Sequence, residues 1–471
     1  MIRSSEKRRP APIRIAVTGA NGGYGRTLLD QLRRLPGMAA TQLIDPDVDG
    51  VRRMLADLGM PGDDVVAVTD AGETAAAVDA GRTALVADAA HVAWSHIDVL
   101  VEATGRIDVG FSYADTALDS GAHVVMVSKE VETIAGVALS AKARANGLRY
   151  LPGDGDQPAN LLRLVDWVLA TGFDIVALGK SGEYDLVFDP ETGIVNQNGV
   201  EQQAPALAGL LGRGDDLRAT LAARAAAVSG LKRAAAADSC EMNVVSLYTG
   251  ATADVETMHY PVVRPDELAD VYAERADGGI LSTTGVVDVF SMLRLPGEAS
   301  FAGGVFAIVR TGDDMTWETL RAKGHVVSRD GRYACLYWPY HFMGVETPLT
   351  IAAAVDDTAT TPEPRQHTVL AARASTDLSA GTGFRVEGHH HEISGVAPVI
   401  VGPDAGEIAP LLPALGCAPA QRRRCGGARA LRRPRRRARA RGIRLPRGPR
   451  ARSLTPRTPD HPGDRRRCTV S

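Results

Sequence analysis

No apolar run in the 471 residues approaches the ~20 needed to cross a bilayer, and the opening "MIRSSEKRRPAP" is charged with no apolar segment behind it. Those absences predict a cytoplasmic protein with no membrane partner. Cysteine is scarce. The five present show no paired spacing, which excludes a disulfide framework and a zinc knuckle, and Cys240 and Cys335 read as small buried hydrophobes. With 45% hydrophobic residues the chain can bury a sizeable core, divided among two or three domains.

The formal charge of -3 conceals an uneven distribution. From Ala418 onward there are 19 Arg, no Lys and two Asp, a charge of +17, which leaves residues 1–417 at -20. An acidic body does not seek nucleic acid, so no nucleic-acid partner is expected. The tail "AQRRRCGGARALRRPRRRARARGIRLPRGPRARS" has the form of a basic interaction arm. Its restriction to Arg, Ala, Gly and Pro is also what GC-rich DNA yields in the wrong reading frame, and the frameshift is the reading preferred here. In either case it lacks the apolar content to fold.

Residues 11–150 alternate strand-like and helix-like segments: "IRIAVTG", "GRTLLDQLRRL", "AATQLID", "VDGVRRMLADL", "IDVLVEATG", "VGFSYADTALDSG" and "GAHVVMVSKE". Short apolar strands alternating with helices predict an α/β domain, a doubly wound parallel sheet of the Rossmann pattern. Residues 151–356 mix helical stretches such as "QPANLLRLVDWVLATG" with strands such as "FDIVALGKSGEYDLVF" and "GGVFAIVRTGD", which suits an α+β substrate domain. Its final helix, "TPLTIAAAVDD", is expected to pack back on the first domain. A Pro/Thr-rich linker (357–367) leads to a small, partial β module (368–417); residues 1–10 and 418–471 are expected to be disordered tails.

The first strand runs into Gly19-x-x-Gly22-x-x-Gly25, with Gly23 as an extra glycine, and then into a helix. In a dinucleotide site the first glycine allows the tight turn, the middle one admits the pyrophosphate, and the last packs helix on strand. The phosphates then face the helix N-terminus. Asn21 and Tyr24 lie within this turn. Asp45, 20 residues after Gly25 at the end of "TQLID", is placed to bond the adenine ribose and favours NAD over NADP. Ala103, Thr104 and Gly105, with Ser128, end two further strands on the edge where ligands of open α/β sheets bind.

Lys129, in "VSKE", is expected at a strand end facing the junction of nicotinamide and substrate, where it can stabilise a developing alkoxide. Lys180, between glycines in "GKSGEYD", is a second candidate, with Glu183 and Asp185 as possible partners. Asp154, Asp156 and Gln157 fall in a glycine-broken loop. They suit either binding of substrate hydroxyls or a metal, or, for Asp156, capping of the following helix. His341 and Glu346 fit acid/base work or domain closure; Glu241 and Asn243 carry a weaker signal. In "GHHHEI" only His389 and His391 could share a face of a strand, and nothing brackets them at ligand spacing, so no metal site is assigned.

The glycine turn, "IDVLVEATG" and the lysine of "GAHVVMVSKE" resemble homoserine dehydrogenases. "YLPGDGDQPANLLRLVDW", "ALGKSGEYD" and "WPYHFMGVETPLTIAAA" are similar to the homoserine-dehydrogenase-like branch that carries a C-terminal SAF domain, and the likeness runs from Ile13 to Gly395. The resemblance implies an NAD(P)-dependent oxidoreductase, commonly oligomeric, passing hydride between nicotinamide and a small polar hydroxy or carbonyl substrate. It puts Lys129 or Lys180 at the reacting oxygen; independently of the resemblance, Asp156 or Glu183 is expected to relay the proton. Homoserine itself is not implied, since the substrate-domain motif of true homoserine dehydrogenases is replaced by "GDGDQP". One offshoot of the branch resembles 1-deoxy-D-xylulose 5-phosphate reductoisomerase in activity, using NADPH and a divalent metal, and that is the alternative. A non-catalytic dinucleotide-binding regulator is the third reading.

Overall fold

The computed structural model describes residues 11–60, 62–378, 386–387, 392–406 and 409–411. The histidine run at 389–391 and the arginine-rich tail lie outside them, as do residues 1–10.

The first domain is built as its apolar runs require. Strands β1 (Ile13–Thr18), β2 (Met38–Ile44), β3 (Val65–Val68), β4 (Thr83–Val86), β5 (Val99–Glu102), β6 (His123–Met126) and β7 (Tyr150–Pro152) form a seven-stranded sheet in the order β3-β4-β2-β1-β5-β6-β7. Every pairing in it is parallel. Helices α1 (Gly23–Leu32), α2 (Val48–Asp57), α3 (Ala71–Asp79), α4 (Ile107–Asp119) and α5 (Lys129–Ala145) make the crossovers. Alternate residues of one strand serve different cores: Ala16 packs with Leu100 and Val124 on one face, and Ile15 and Val17 with Leu28 and Val99 on the other. A sheet covered on both faces reads as continuous hydrophobic strands. Two helix starts are fixed by side chains: Asp47 accepts from Gly50 N and Asp70 from Glu73 N. Strands β3 and β4, four residues each, are too short to have been singled out by pattern. β7 straddles the expected boundary at 150.

The second domain opens with α6 (Gln157–Ala170) and β8 (Ile175–Ser181), followed by β9 (Leu186–Asp189), β10 (Ile194–Gln197) and β11 (Val200–Gln203). Then come α7 (Leu217–Ala227), α8 (Ala236–Thr249), β12 (Thr252–Ala253), β13 (Val262–Val263) and α9 (Leu268–Val271). It ends with β14 (Val286–Arg294), β15 (Val305–Arg310), α10 (Asp314–Ala322), β16 (Tyr333–Trp338) and α11 (Thr347–Asp356). These strands form a mixed sheet of order β11-β10-β9-β14-β8-β15-β16, with β12 and β13 beside β14. Helices α6 and α8 cover one face, where Leu161, Val165 and Val245 meet Leu178 and Val289. α8 is buried almost all round, and α11 returns to the first domain, its Ile351 packing among Ile15, Leu28 and Val101.

Beyond α11, β17 (Val369–Ala374) pairs antiparallel with β20 (Val396–Val401), and β18 (Val386–Glu387) with β19 (Glu392–Ile393). Leu370 and Ile400 join the core under α8, so this segment rests on the second domain. Among the described residues no helix is long and apolar enough to cross a membrane.

Candidate functional site

At the carboxyl edge of the first sheet, β1 turns into α1 through Gly19, whose φ is +65°. A Cβ at Gly19 would stand 2.5 Å from the carbonyl oxygen of Ala103, so the turn lies directly on the loop after β5. Gly22 is the N-cap of α1, and the first intrahelical bond runs from Arg26 N to Gly22 O. The N–H groups of Gly23, Tyr24 and Gly25 therefore precede the helical ladder, as an anion at a helix N-terminus requires. Gly25 presses so closely on Ala20 that no side chain fits there. Asp45 follows β2 and accepts from Asn21 N at 3.0 Å and from Asp47 N at 2.9 Å, while Asn21 Nδ2 donates to Asp47. These residues fit a dinucleotide: backbone exposed where phosphate must approach, and a carboxylate one strand over. The Tyr24 side chain does not join them. It is half-buried, and its hydroxyl meets Thr347 and the carbonyl of Asp154, which ties α1 to the second domain.

The loop after β5 is set by a residue without an earlier role. Glu102 is buried and accepts from Thr18 Oγ1, Thr104 N and Thr104 Oγ1, while burial pushes its carboxyl pKa up. Gly105, at φ +66°, donates its N–H to Ser128 Oγ at 2.8 Å. Ala103, Thr104, Gly105 and Ser128 thus form one bonded unit facing the glycine turn.

Ser128 leads straight into a cluster of lysines and carboxylates. Lys129 was expected at a strand end; β6 stops at Met126 and Lys129 is the first residue of α5. Its Nζ donates to Glu241 Oε1 at 2.5 Å, with 23% of the side chain exposed. Lys180, on β8, is 1% exposed and donates to Asp238 Oδ1 at 2.8 Å and to Glu241 Oε2. Glu241 on α8 therefore bridges both lysines. Burial opposes its charge, but the two ammonium groups outweigh that and pull its pKa to about 2, and the carboxylates in turn hold both lysines protonated.

Asp156 belongs to this group. It precedes α6 but makes no side-chain capping bond. Desolvation raises its pKa to about 6 against the pull of Lys129 and Lys180, and it shares with Lys129 a narrow crevice, about 10 Å³ and so the size of one water, that Gly153 and Pro152 also line. Asp154 instead accepts from Thr350 Oγ1 and pairs with Arg163, which makes it part of the join to α11.

Glu183 and Asp185 are not the partners of Lys180. β8 ends at Ser181, so the strand alternation stops before them; Glu183 is exposed and Asp185 accepts from Arg294 Nε at 2.7 Å. The partners come from α8, where Asp238 and Glu241 sit three apart in a helix otherwise packed in the core. Two carboxylates in a buried helix were the available signal for them. His341 lies near both lysines. Burial, then Lys180, lowers its pKa, and its Nδ1 has no partner among the described residues. Glu346 accepts from Asn160 Nδ2, and Asn243 from Thr368 Oγ1. Among the described residues no three His, Cys, Asp or Glu side chains converge to hold a metal.

One further carboxyl lies at the join of the domains. Glu132 on α5 accepts from Tyr150 and from Tyr248 of α8, the latter at 2.6 Å, and burial raises its pKa from 4.5 to about 7. The folded state thus binds the proton more tightly than the unfolded chain. The stability this contributes is complete below pH 4.5 and is lost as pH rises toward about 7, a fall of about 3 kcal/mol. Calorimetry between pH 4.5 and 8 is expected to show that loss in the native protein and a profile shallower by about that amount in Glu132→Gln, where the slope that Asp156 contributes below about pH 6 remains. Equal slopes would place the titration elsewhere.

Residues 228–347 match the family model described as the catalytic domain of oxidoreductase DRL, a stretch that contains Asp238, Glu241 and His341. No curated protein matches the chain significantly. Among solved structures, the chain is similar to a DOX-P reductoisomerase with fosmidomycin and magnesium, at 18% identity and TM-score 0.26, covering 36% of this chain and 46% of that one. It is also similar to a UDP-N-acetylglucosamine 3-dehydrogenase from Acidithiobacillus ferrooxidans, at 12% identity and TM-score 0.37, covering 74% and 91%. A third is the oxidoreductase yvaA of Bacillus subtilis, at 15% identity and TM-score 0.33, covering 76% and 92%. Likenesses at this level say nothing about substrate.

Proposed function

We propose that the chain is an NAD(P)-dependent oxidoreductase, homoserine dehydrogenase-like in plan, acting on a small polar hydroxy or carbonyl compound. One observation carries the reading: the bonded unit Thr104–Gly105–Ser128 that faces the glycine turn continues without a break into Lys129, and Lys129 is held by Glu241 beside Lys180. Cofactor edge and cationic cluster are covalently contiguous. The catalytic-domain match over 228–347 supports the same reading from the other side of the cluster.

The bound nicotinamide would supply or accept the hydride. Gly19, Gly22, Gly23 and Gly25 would admit its pyrophosphate and Asp45 its adenine ribose, whose 2′-hydroxyl suits a carboxylate better than a 2′-phosphate does; NAD is therefore the preferred form. Lys129, the more accessible lysine, would donate to the substrate oxygen and stabilise negative charge developing on it. Lys180 would act through Glu241, fixing the carboxylate that orients Lys129. Asp156, with a pKa of about 6, is suited to take or return the hydroxyl proton near neutrality. In the oxidation direction its carboxylate form is the active one, so kcat/KM is expected to rise through about pH 6 and that limb to vanish in Asp156→Asn.

The reading is tested with the full chain. NAD, NADH, NADP and NADPH are titrated first, and the reduced-nicotinamide absorbance is then followed with homoserine, hydroxy acids and 1-deoxy-D-xylulose 5-phosphate. Binding with turnover of one substrate is expected. Binding with no turnover anywhere supports the regulatory reading, and absence of dinucleotide binding removes the proposal. Turnover of the sugar phosphate alone, with a metal requirement, selects the reductoisomerase alternative. Association into a homo-oligomer belongs to the same proposal, supported by the exposed Tyr340, Phe342, Val345 and Leu349; light scattering measures it.

A further inference from the structure

The edge proposed for the adenine ribose carries a residue suited to either form of the cofactor. A carboxylate after β2, here Asp45, suits the free 2′-hydroxyl of NAD, and an arginine nearby suits the 2′-phosphate of NADP. Arg52 and Arg53 are both exposed on α2. Arg53 is the one that turns back to the loop after β2, its Nη2 standing 4.0 Å from Asp47 Oδ2. Which form binds therefore depends on the anion that Arg53 faces.

Asp47 is placed to decide it. Pro46 lies between Asp45 and Asp47 and fixes its own φ, which limits how far the two can move apart. Asp45 Oδ1 accepts from Asp47 N at 2.9 Å. Asn21 of the glycine turn bonds both carboxylates, donating its N–H to Asp45 Oδ2 and its Nδ2 to Asp47 Oδ2, each at 3.0 Å. Asp47 Oδ1 accepts from Gly50 N at 2.9 Å and so caps α2. A Cβ at Gly50 would stand 2.3 Å from both Asn21 Nδ2 and Asp47 Oδ2, so glycine at that position leaves room for the bridge. The two carboxylates are held side by side against the glycine turn.

Their surroundings add further negative charge. The pKa of the half-buried Tyr113 phenol is raised by burial and then by Asp88, Glu102 and Asp45, which puts the loops after β2, β4 and β5 around one ring. Asp49 is exposed in the first turn of α2. A 2′-phosphate, with about two negative charges, would stand among these carboxylates with Arg53 already facing one of them.

We infer that Asp47 is a cofactor-selectivity residue: it engages Arg53 and sets a second negative charge beside Asp45, which disfavours the 2′-phosphate of NADP and leaves the ribose hydroxyls to Asp45. The inference rests on the dinucleotide reading of the glycine turn and names a determinant within that site.

The test uses the full chain, with NADH and NADPH titrated by fluorescence and thermal unfolding checking each variant. The native protein is expected to bind NADH more tightly than NADPH. In Asp47→Asn the cap is kept and one charge removed, so NADPH is expected to bind about tenfold more tightly than in the native protein while NADH changes by about twofold or less. Asp47→Ser, another uncharged capping residue, is expected to behave alike and guards against an effect particular to asparagine. Asp47→Asn/Arg53→Gln is expected to lose the gain, since the arginine released by the first change is absent. The gain is also expected to shrink at about 0.5 M salt, because the charges are exposed. Unchanged NADPH affinity in both single variants, a gain that survives without Arg53, or a native preference for NADPH would each overturn the assignment and leave the oxidoreductase reading intact. Binding of neither dinucleotide by the native protein would overturn both.

Discussion

Replacing Lys129 by alanine is expected to lower kcat/KM by about 10²–10³-fold, the effect of removing one pre-placed donor from a developing oxyanion, with the fold intact. The reason for separating activity from stability is the difference between the two lysines. Lys129 has 23% of its side chain exposed at the crevice that Asp156 also lines, and when it is removed Glu241 keeps the bond from Lys180. Lys180 is 1% exposed, and its removal leaves Asp238 and Glu241 sharing the single ammonium of Lys129. Breaking a buried ion pair from one side costs about 3–5 kcal/mol, so Lys180→Met is expected to lose most of its stability along with its activity. Urea unfolding and steady-state kinetics on both variants distinguish the roles. Full turnover in Lys129→Ala would remove it from the reaction, and an unaltered unfolding midpoint in Lys180→Met would show that the Glu241 bridge is not held as described.

The second large effect is expected at Gly19. Valine there is expected to abolish measurable NAD(H) binding, a loss above about 100-fold, and to destabilise the first domain by about 2–4 kcal/mol. Two costs combine. A φ of +65° is strained for any β-branched residue, and the new Cβ would meet the Ala103 carbonyl, which cannot rotate away as a side chain would. Displacing that carbonyl also shifts Thr104 and Gly105, the loop tied to Ser128 and hence to Lys129. Gly37→Ala is the control: its backbone has no positive φ and its Cβ would meet nothing within 4 Å. NADH fluorescence titration and thermal unfolding give both readouts. Tight NADH binding by Gly19→Val would mean that the turn does not contact the dinucleotide.

The parts of the site that were legible in the sequence are those bound by local geometry. Gly19, Gly22, Gly25 and Asp45 are read from spacing because a strand, a turn and a helix place residues a fixed distance apart whatever the rest of the chain does. The same reasoning went astray where an element ended unseen. "VSKE" follows directly on the apolar run of β6, yet the backbone turns after Met126 and makes Lys129 the start of a helix. Glu183 and Asp185 follow Lys180 in sequence, but the strand stops at Ser181 and releases them from its alternation.

The charge assignments within the cluster had no local signal. Glu241 meets Lys129 from 112 positions away and Lys180 from 61, and Tyr248 meets Glu132 from 116. Such pairs form because α8 lies between α5 of one domain and β8 of the other, and nothing in the spacing of Asp238 and Glu241 says which cations they will face. The sequence by itself determined the parallel sheet, the glycine turn and the edge at which a dinucleotide fits, since those follow from periodicity and backbone sterics over fewer than about 40 residues. Only the tertiary structure decided that Glu241 bridges the two lysines, that Asp156 keeps an elevated pKa instead of capping α6, and that Tyr24 joins the domains. Burial and charge pairing are properties of what is brought close in space, and that is fixed only when the helices have packed.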